Sequence, residues 1–275
     1  MSRWLMTILL IGVLTTHAAS ALVLEGQPTQ GGLLAGQVEP DSQVEWLGHE
    51  VPVGPQGHFQ VGLGREAPAE VFLTVTSPEG DVTRHPITVT QRRYNIQRID
   101  GLPDRQVTPD ESLIRRIRDE AARVREARAV RLEESHFDSG WIWPLTGPIS
   151  GVYGSQRILN GEPRQPHYGV DIVAPTGTLV QAPASGVVTL TERDLFFSGG
   201  TLIIDHGQGL SSSFLHLSEI LVEVGDQVQV GDDIARVGAT GRVTGAHLDW
   251  RMNWFDQRID PETLVPPMEE VLSSE

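Results

Sequence analysis

The hydrophobic pattern changes character several times along the chain. Leu5 to Leu14 form an apolar run, interrupted by Thr7, behind the single positive charge of Arg3. From residue 22 to about 95 the apolar residues come in short runs. Val-Phe-Leu-Thr-Val-Thr spans 71–76, Ser77-Pro78-Glu79-Gly80-Asp81 makes a turn, and Ile87-Thr88-Val89-Thr90 follows. Short runs rich in β-formers, bounded by Gly, Pro, Asp and Ser, predict strands, and a small β-sandwich buries them most simply. Between 108 and 134 the period becomes helical. Leu113, Ile114, Ile117, Ala121, Val124 and Ala127 share one side, and the arginines with Glu120, Glu126 and Glu133 take the others. Thr108-Pro109-Asp110-Glu111 is a start signal, with a capping Thr, Pro at the first helical position and Glu three after the cap. From Trp141 to Trp254 glycine alternates with short β-rich stretches at 186–190, 201–205, 219–223 and 234–237. Many short strands without helices predict an antiparallel sheet or compact barrel.

The expected fold is therefore mainly β. It has a β-sandwich-like accessory domain over 22–95, a linker over 96–138 carrying the helix 108–134, and a second β domain over 139–275. The helix reads as a connecting element, packed on one side and solvated on the other. The first 21 residues read as a secretory signal peptide. The run 5–14 is too short to span a bilayer, and Ala19-Ser20-Ala21 suits cleavage after Ala21. The expected mature protein has no integral membrane segment and is secreted across the inner membrane into the periplasm.

Composition narrows the function. The formal net charge is −15, and one unit more negative without the first 21 residues, which makes nucleic acid a poor partner. The chain has no cysteine, so disulfides, thiolate metal ligands and a lipid-modified N-terminal cysteine are excluded. Every basic residue is Arg. This decides one reading, since Val224–Gly238 resembles the half-repeat of biotin- or lipoyl-carrying domains, which need an attachment lysine.

Candidate chemistry gathers in the second half. His167 and Asp171 stand four apart, with Gly169 and β-branched residues favouring a loop that runs into a strand over a helix. Both side chains are good zinc ligands. His247-Leu-Asp249-Trp points His247 and Asp249 to one face of a strand and Leu248 and Trp250 to the other. A buried His–Asp hydrogen bond would explain that pair as well as a metal would. His216, in Phe-Leu-His-Leu, is expected to be partly buried and closer to neutrality. His206 reads as a turn residue, and His49, His58 and His85 as surface or loop residues. Tyr153 and Asn160 are groove or loop candidates. Trp141, Trp143, Trp250 and Trp254 are expected in the core.

Taken in order, Gly151-Val-Tyr-Gly-Ser-Gln-Arg157, His167-x-x-x-Asp171, Asp205-His-Gly207, Phe214-Leu-His-Leu217 and Thr240–Asp249 resemble the lysostaphin-type (LytM-domain) zinc metallopeptidases over about residues 141–262. The resemblance implies an antiparallel fold with a groove, Zn²⁺, and hydrolysis of peptide bonds in peptidoglycan. It implies His167 and Asp171 as zinc ligands and His216 and His247 as catalytic histidines. It places Asp249 where the family's His-x-His pair has its third ligand. Two carboxylates would cancel the charge of Zn²⁺ where one leaves +1, so a less acidified bound water and an alkaline activity profile are expected. The alternative is a catalytically weak or inactive relative that binds cell wall or activates a cell-wall amidase.

Overall fold

The computed structural model describes residues 22–100, 111–130, 132, 134–137 and 140–274. The signal-peptide reading and the helix-start signal at Thr108–Asp110 lie outside these residues. No helix among them is long and apolar enough to cross a membrane.

The early alternation becomes two small antiparallel sheets. One orders Val23–Glu25, Leu33–Gln37 and His58–Gly62, and the other His49–Val51, Gln43–Trp46, Glu70–Thr76 and Val82–Thr88. Period-two burial is clearest in Gln43–Trp46, where Val44 and Trp46 are buried and Gln43 and Glu45 exposed. Residues 96–99, expected in a linker, form a strand that pairs in parallel with Gln156–Leu159.

The second half carries an eight-stranded antiparallel sheet. Its order is Gln227–Val228, Gly186–Leu195, Gly199–Gly207, Leu210–Leu217, His247–Trp254, Gly169–Val173 and Ile149–Gly151, with Gln257–Ile259 also on His247–Trp254. The strand His247–Trp254 is central. Leu248, Trp250, Met252 and Trp254 point into the core, which runs on into the N-terminal sheets. Trp143 packs edge-on to Trp250, ring centroids 5.7 Å apart, and Trp141 is partly buried, in line with the expected core tryptophans.

The predicted helix appears as Glu111–Ala129, packing Val124 and Ala127 on Leu190 and Ile203. Two details differ from the periodicity. Ala121 is exposed, while Glu120 is buried, where its carboxylate accepts from Arg116 Nε at 2.5 Å and from Phe196 N at 2.8 Å. Two further corrections concern His206 and Tyr153, whereas Asn160 takes the loop position of its two alternatives. His206 lies inside the strand Gly199–Gly207, fully buried, because Ser185 O and Ser212 Oγ accept and donate at its two ring nitrogens. Tyr153 is a core residue whose hydroxyl donates to Arg258 O at 2.6 Å. Asn160 sits on the exposed turn between Gln156–Leu159 and Glu162–Pro163.

Candidate metal centre

The strand His247–Trp254 carries one functional face. Asp249 pairs directly with Asp171 across to Gly169–Val173, and with Leu215 across to Leu210–Leu217. Directly opposed like charges repel. The chain has placed two carboxylates there, so something cationic must hold them. His167, on the loop entering Gly169–Val173, supplies the first contact. Its Nε2 is 3.0 Å from Asp171 Oδ1 and 3.5 Å from Asp249 Oδ2. Burial lowers the His167 pKa, but the two carboxylates raise it by more, to about 10. The pair thus draws positive charge to this point.

The other two histidines converge on the same carboxylates. His216 Nε2 is 4.0 Å from Asp249 Oδ2, His247 Nε2 is 3.8 Å from Asp171 Oδ1, and the two rings are 4.9 Å apart. All three imidazoles are oriented alike. Nδ1 of His167, His216 and His247 faces the carbonyl of Val152, Thr240 and Gly245, at 3.3, 3.0 and 2.9 Å. A carbonyl can only accept, so each Nδ1 carries the proton, and in the neutral ring Nε2 keeps its lone pair for the site. His247 makes this backbone bond and no hydrogen bond to Asp249. Burial holds the His216 pKa below its ordinary value, as its apolar neighbours suggested.

His216 reaches this face by an irregularity. Strict alternation puts Leu215, not His216, beside Asp249. The register against Gly199–Gly207 shifts between Gly200 and Leu202, and His216 adopts φ +66°. A bulge of this kind re-aims a side chain, and a non-glycine residue held there stores strain at the site. Two glycines open the space. A Cβ on Gly151 would stand 2.1 Å from Asp171 Oδ2, and one on Gly169 would stand 2.5 Å from Asp249 Oδ1.

Whether these residues fit a metal is decided by their donor atoms. Nε2 of His167 and an oxygen each of Asp171 and Asp249 lie within 4.8 Å of one another. A tetrahedral zinc with bonds of about 2.0–2.1 Å has donors about 3.3 Å apart, close to the 3.0 and 3.5 Å measured at His167. His167 Nε2 and Asp171 Oδ1 are sealed from solvent and have no hydrogen-bond partner beyond their mutual 3.0 Å contact. Buried polar atoms without partners are rare and call for an explanation. The set fits.

Arg251 was missed in the sequence, although it continues the period-two face of His247 and Asp249. Its Nε lies 2.9 and 3.0 Å from the two Asp249 oxygens, and one terminal nitrogen 2.5 Å from Oδ2. Burial opposes ionisation of Asp249, but Arg251 and His167 outweigh it and hold the carboxyl far below its usual range. The charge count therefore changes. Arg251 cancels one carboxylate, and the donor set carries one net negative charge, as a set with a single carboxylate would.

Known proteins match this half of the chain. Residues 165–261 match the model of peptidase family M23. The peptidoglycan DD-endopeptidase ShyA of Vibrio cholerae is 42% identical over 118 residues, 43% of this chain and 24% of ShyA. The peptidoglycan DD-endopeptidase ShyC of the same organism is 32% identical over 143 residues, 52% of this chain and 29% of ShyC. The chain thus spans less than a third of these relatives' length. A Pseudomonas aeruginosa crystal structure assigned to peptidase M23 is 29% identical, covering 86% of this chain and 95% of that one, with a TM-score of 0.68. At 86% coverage this likeness reaches beyond the residues that the family model matches. The chain carries a domain of peptidase family M23, the lysostaphin/LytM-type family.

Proposed function

We propose that this chain is a secreted, periplasmic zinc metalloendopeptidase that hydrolyses peptide cross-links or stem peptides of bacterial peptidoglycan. His167, Asp171 and Asp249 are its zinc ligands, and His216 and His247 its catalytic histidines. One observation carries the reading. Three imidazoles, each fixed through Nδ1 to a backbone carbonyl, turn Nε2 toward two carboxylates that face each other across one strand pair. The names of ShyA and ShyC support the substrate class.

Bound zinc would polarise the scissile carbonyl and acidify a water in its fourth position. The chain's own groups do the rest. Asp171 and Asp249 supply charge, and Arg251 fixes the Asp249 carboxylate so that it cannot rotate away. His216 Nε2 is suited to accept a proton from the attacking water, because burial favours its neutral ring. His247 Nε2, 3.8 Å from Asp171 Oδ1 at the other edge of the site, is placed to face the developing oxyanion.

The test joins metal analysis to muropeptide release from isolated sacculi. The expected result is about one zinc per chain and cleavage in the wild type, with both lost in Asp249→Ala and cleavage alone lost in His247→Ala. Cleavage by zinc-free protein, or undiminished cleavage by His247→Ala, would overturn the assignment. A second reading, a binding protein or amidase activator on the same fold, is favoured by Arg251, which already engages both oxygens of Asp249. Sacculus binding or amidase activation by a zinc-free protein that cuts nothing would support it.

A further inference from the structure

Three guanidiniums gather on the site face, on the side of Asp249 away from His247. Arg251 lies opposite Ser213 across one strand pair. Asn253 follows on the same face, and Arg258, opposite it on the neighbouring strand, donates to Asn253 Oδ1 at 2.9 Å. Arg128 comes from the last turn of the helix Glu111–Ala129 and donates to Ser213 Oγ at 3.0 Å. All three side chains are half-buried, so each keeps a solvent-facing part.

Among the described residues, the cluster is short of negative charge. Arg251 engages both oxygens of Asp249, and His167 Nε2 lies 3.5 Å from Oδ2. Arg258 has an amide oxygen and the face of Tyr168, 5.7 Å from the ring centre. Among the described residues Arg128 has one hydroxyl partner, and its Nε is sealed from solvent with no acceptor. Burial presses the Arg128 pKa well down, and the other charges that act on it, Arg258 and Arg251, press the same way. Folding opposes a buried cation beside two others, and arginine does not escape by losing its proton. Such an arrangement is explained when an anion completes it. Guanidinium forks match a carboxylate through paired N–H donors.

We propose that Arg128, Arg251 and Arg258 frame a carboxylate subsite beside the metal centre, with Arg128 Nε as the donor that lacks an acceptor among the described residues. The ligand is a free carboxylate of the peptide substrate, from its C-terminus or from a side branch. Naming a peptide rests on the function proposed above, whereas carboxylate binding requires neither zinc nor cleavage.

The experiment is calorimetric titration of the full chain carrying His247→Ala, which prevents turnover. The probes are a synthetic stem peptide with its carboxylates free, the same peptide amidated at the C-terminus, and the same peptide amidated at the side branch. One amidated form is expected to bind about 10–100-fold more weakly, the loss of a charge-assisted hydrogen bond, and that form identifies the source. Arg128→Gln is expected to abolish the discrimination between the free and that amidated peptide. The same substitution is expected to raise the Tm of the free protein, because it removes an unpaired buried charge. Arg258→Gln provides a second, independent loss of discrimination. Equal binding of all three peptides, no binding of any, or a lower Tm with unchanged discrimination in Arg128→Gln would overturn the subsite. Zinc content and sacculus cleavage, measured separately, show whether the peptidase reading fails instead.

Discussion

The two faces of the strand His247–Trp254 obey different physics. On one, Leu248, Trp250, Met252 and Trp254 are all 0% exposed. That face gains free energy from buried area, at about 25 cal/mol per Å² of apolar surface, and tolerates any side chain of the right shape. On the other, His247, Asp249, Arg251 and Asn253 gain little from area. Each is held by a specific bond, and burial punishes whatever is left unpaired. Buried atoms without a hydrogen-bond partner occur on both faces, Arg128 Nε on the site side and Nε1 of Trp250 and Trp254 in the core, so such an atom points to a ligand only where donors converge, as His167 Nε2 and Asp171 Oδ1 do at 3.0 Å. The same residue spacing separates stability on one side from chemistry on the other.

That separation is broken most directly by two substitutions on neighbouring registers. His247→Ala is expected to lower sacculus cleavage about 10²–10⁴-fold, the usual worth of a general acid or base, while leaving the denaturant midpoint nearly unchanged. Trp250→Ala is expected to cost about 3–5 kcal/mol of stability. Comparable stability losses in urea titrations of the two variants would show that the faces are not independent. A sharper case is Asp249→Asn, read in chelator-treated protein. It leaves Arg251 buried without its counter-charge, an effect of about 3–5 kcal/mol for a broken buried pair. Arg251→Met added to Asp249→Asn is expected to recover much of that loss. Additive losses in the double variant would mean that the pair is not the structural unit described.

The alternation that made this comparison possible was visible in the sequence, and so were the five side chains of the site. Asp249 and His247 follow from period two, and Leu248 and Trp250 from its complement. What stayed hidden depends on relations between distant segments. His216 lies on the wrong parity, and only the shifted register against Gly199–Gly207 with φ +66° turns it toward Asp249. Nothing in Phe-Leu-His-Leu signals a bulge. Gly151 and Gly169 make room for carboxylates that only the strand pairing brings to them. Arg128 meets Ser213 from 85 residues away. Arg251 was legible, since it extends the same face by two positions. Counting it removes the ground for an alkaline shift, because the donor set regains the charge of a single carboxylate. His206 was misread for a physical reason: the glycines that follow it suggested a turn, whereas its two hydrogen bonds let it remain neutral inside a strand.

His206 supplies the next test, because it is a histidine held by core packing and not by the site carboxylates. Trp141 packs edge-on to it at 4.9 Å. Burial lowers its pKa from 6.5 to about 4. The unfolded chain therefore takes up a proton between these values while the folded chain does not. This contribution is complete above about pH 6.5 and is lost as the pH falls toward 4, to a total of about 3 kcal/mol. Urea midpoints measured from pH 7.5 to 4.5 are expected to fall accordingly, and His206→Asn should flatten that part of the slope. An unaltered slope in His206→Asn would place the acid sensitivity elsewhere.

The smallest effect is expected at Gly169, and it discriminates between the faces most finely. Gly169 sits opposite Arg251 on the adjoining strand, where a Cβ would lie 2.5 Å from Asp249 Oδ1, 2.5 Å from Trp250 O and 2.6 Å from Arg251 Cγ. One of these atoms is backbone of the central strand, so the methyl cannot be absorbed by a side chain swinging aside. Gly169→Ala is expected to cost about 1–3 kcal/mol, the range for overpacking. Two of the three crowded atoms belong to the Asp249–Arg251 pair, so the cost should appear unequally. Zinc retention against a competing chelator is expected to fall while the near-ultraviolet signal of the core tryptophans stays native. If the tryptophan signal changed and zinc retention did not, the added methyl would have been accommodated by the core face, and the glycine would serve packing and not the metal centre.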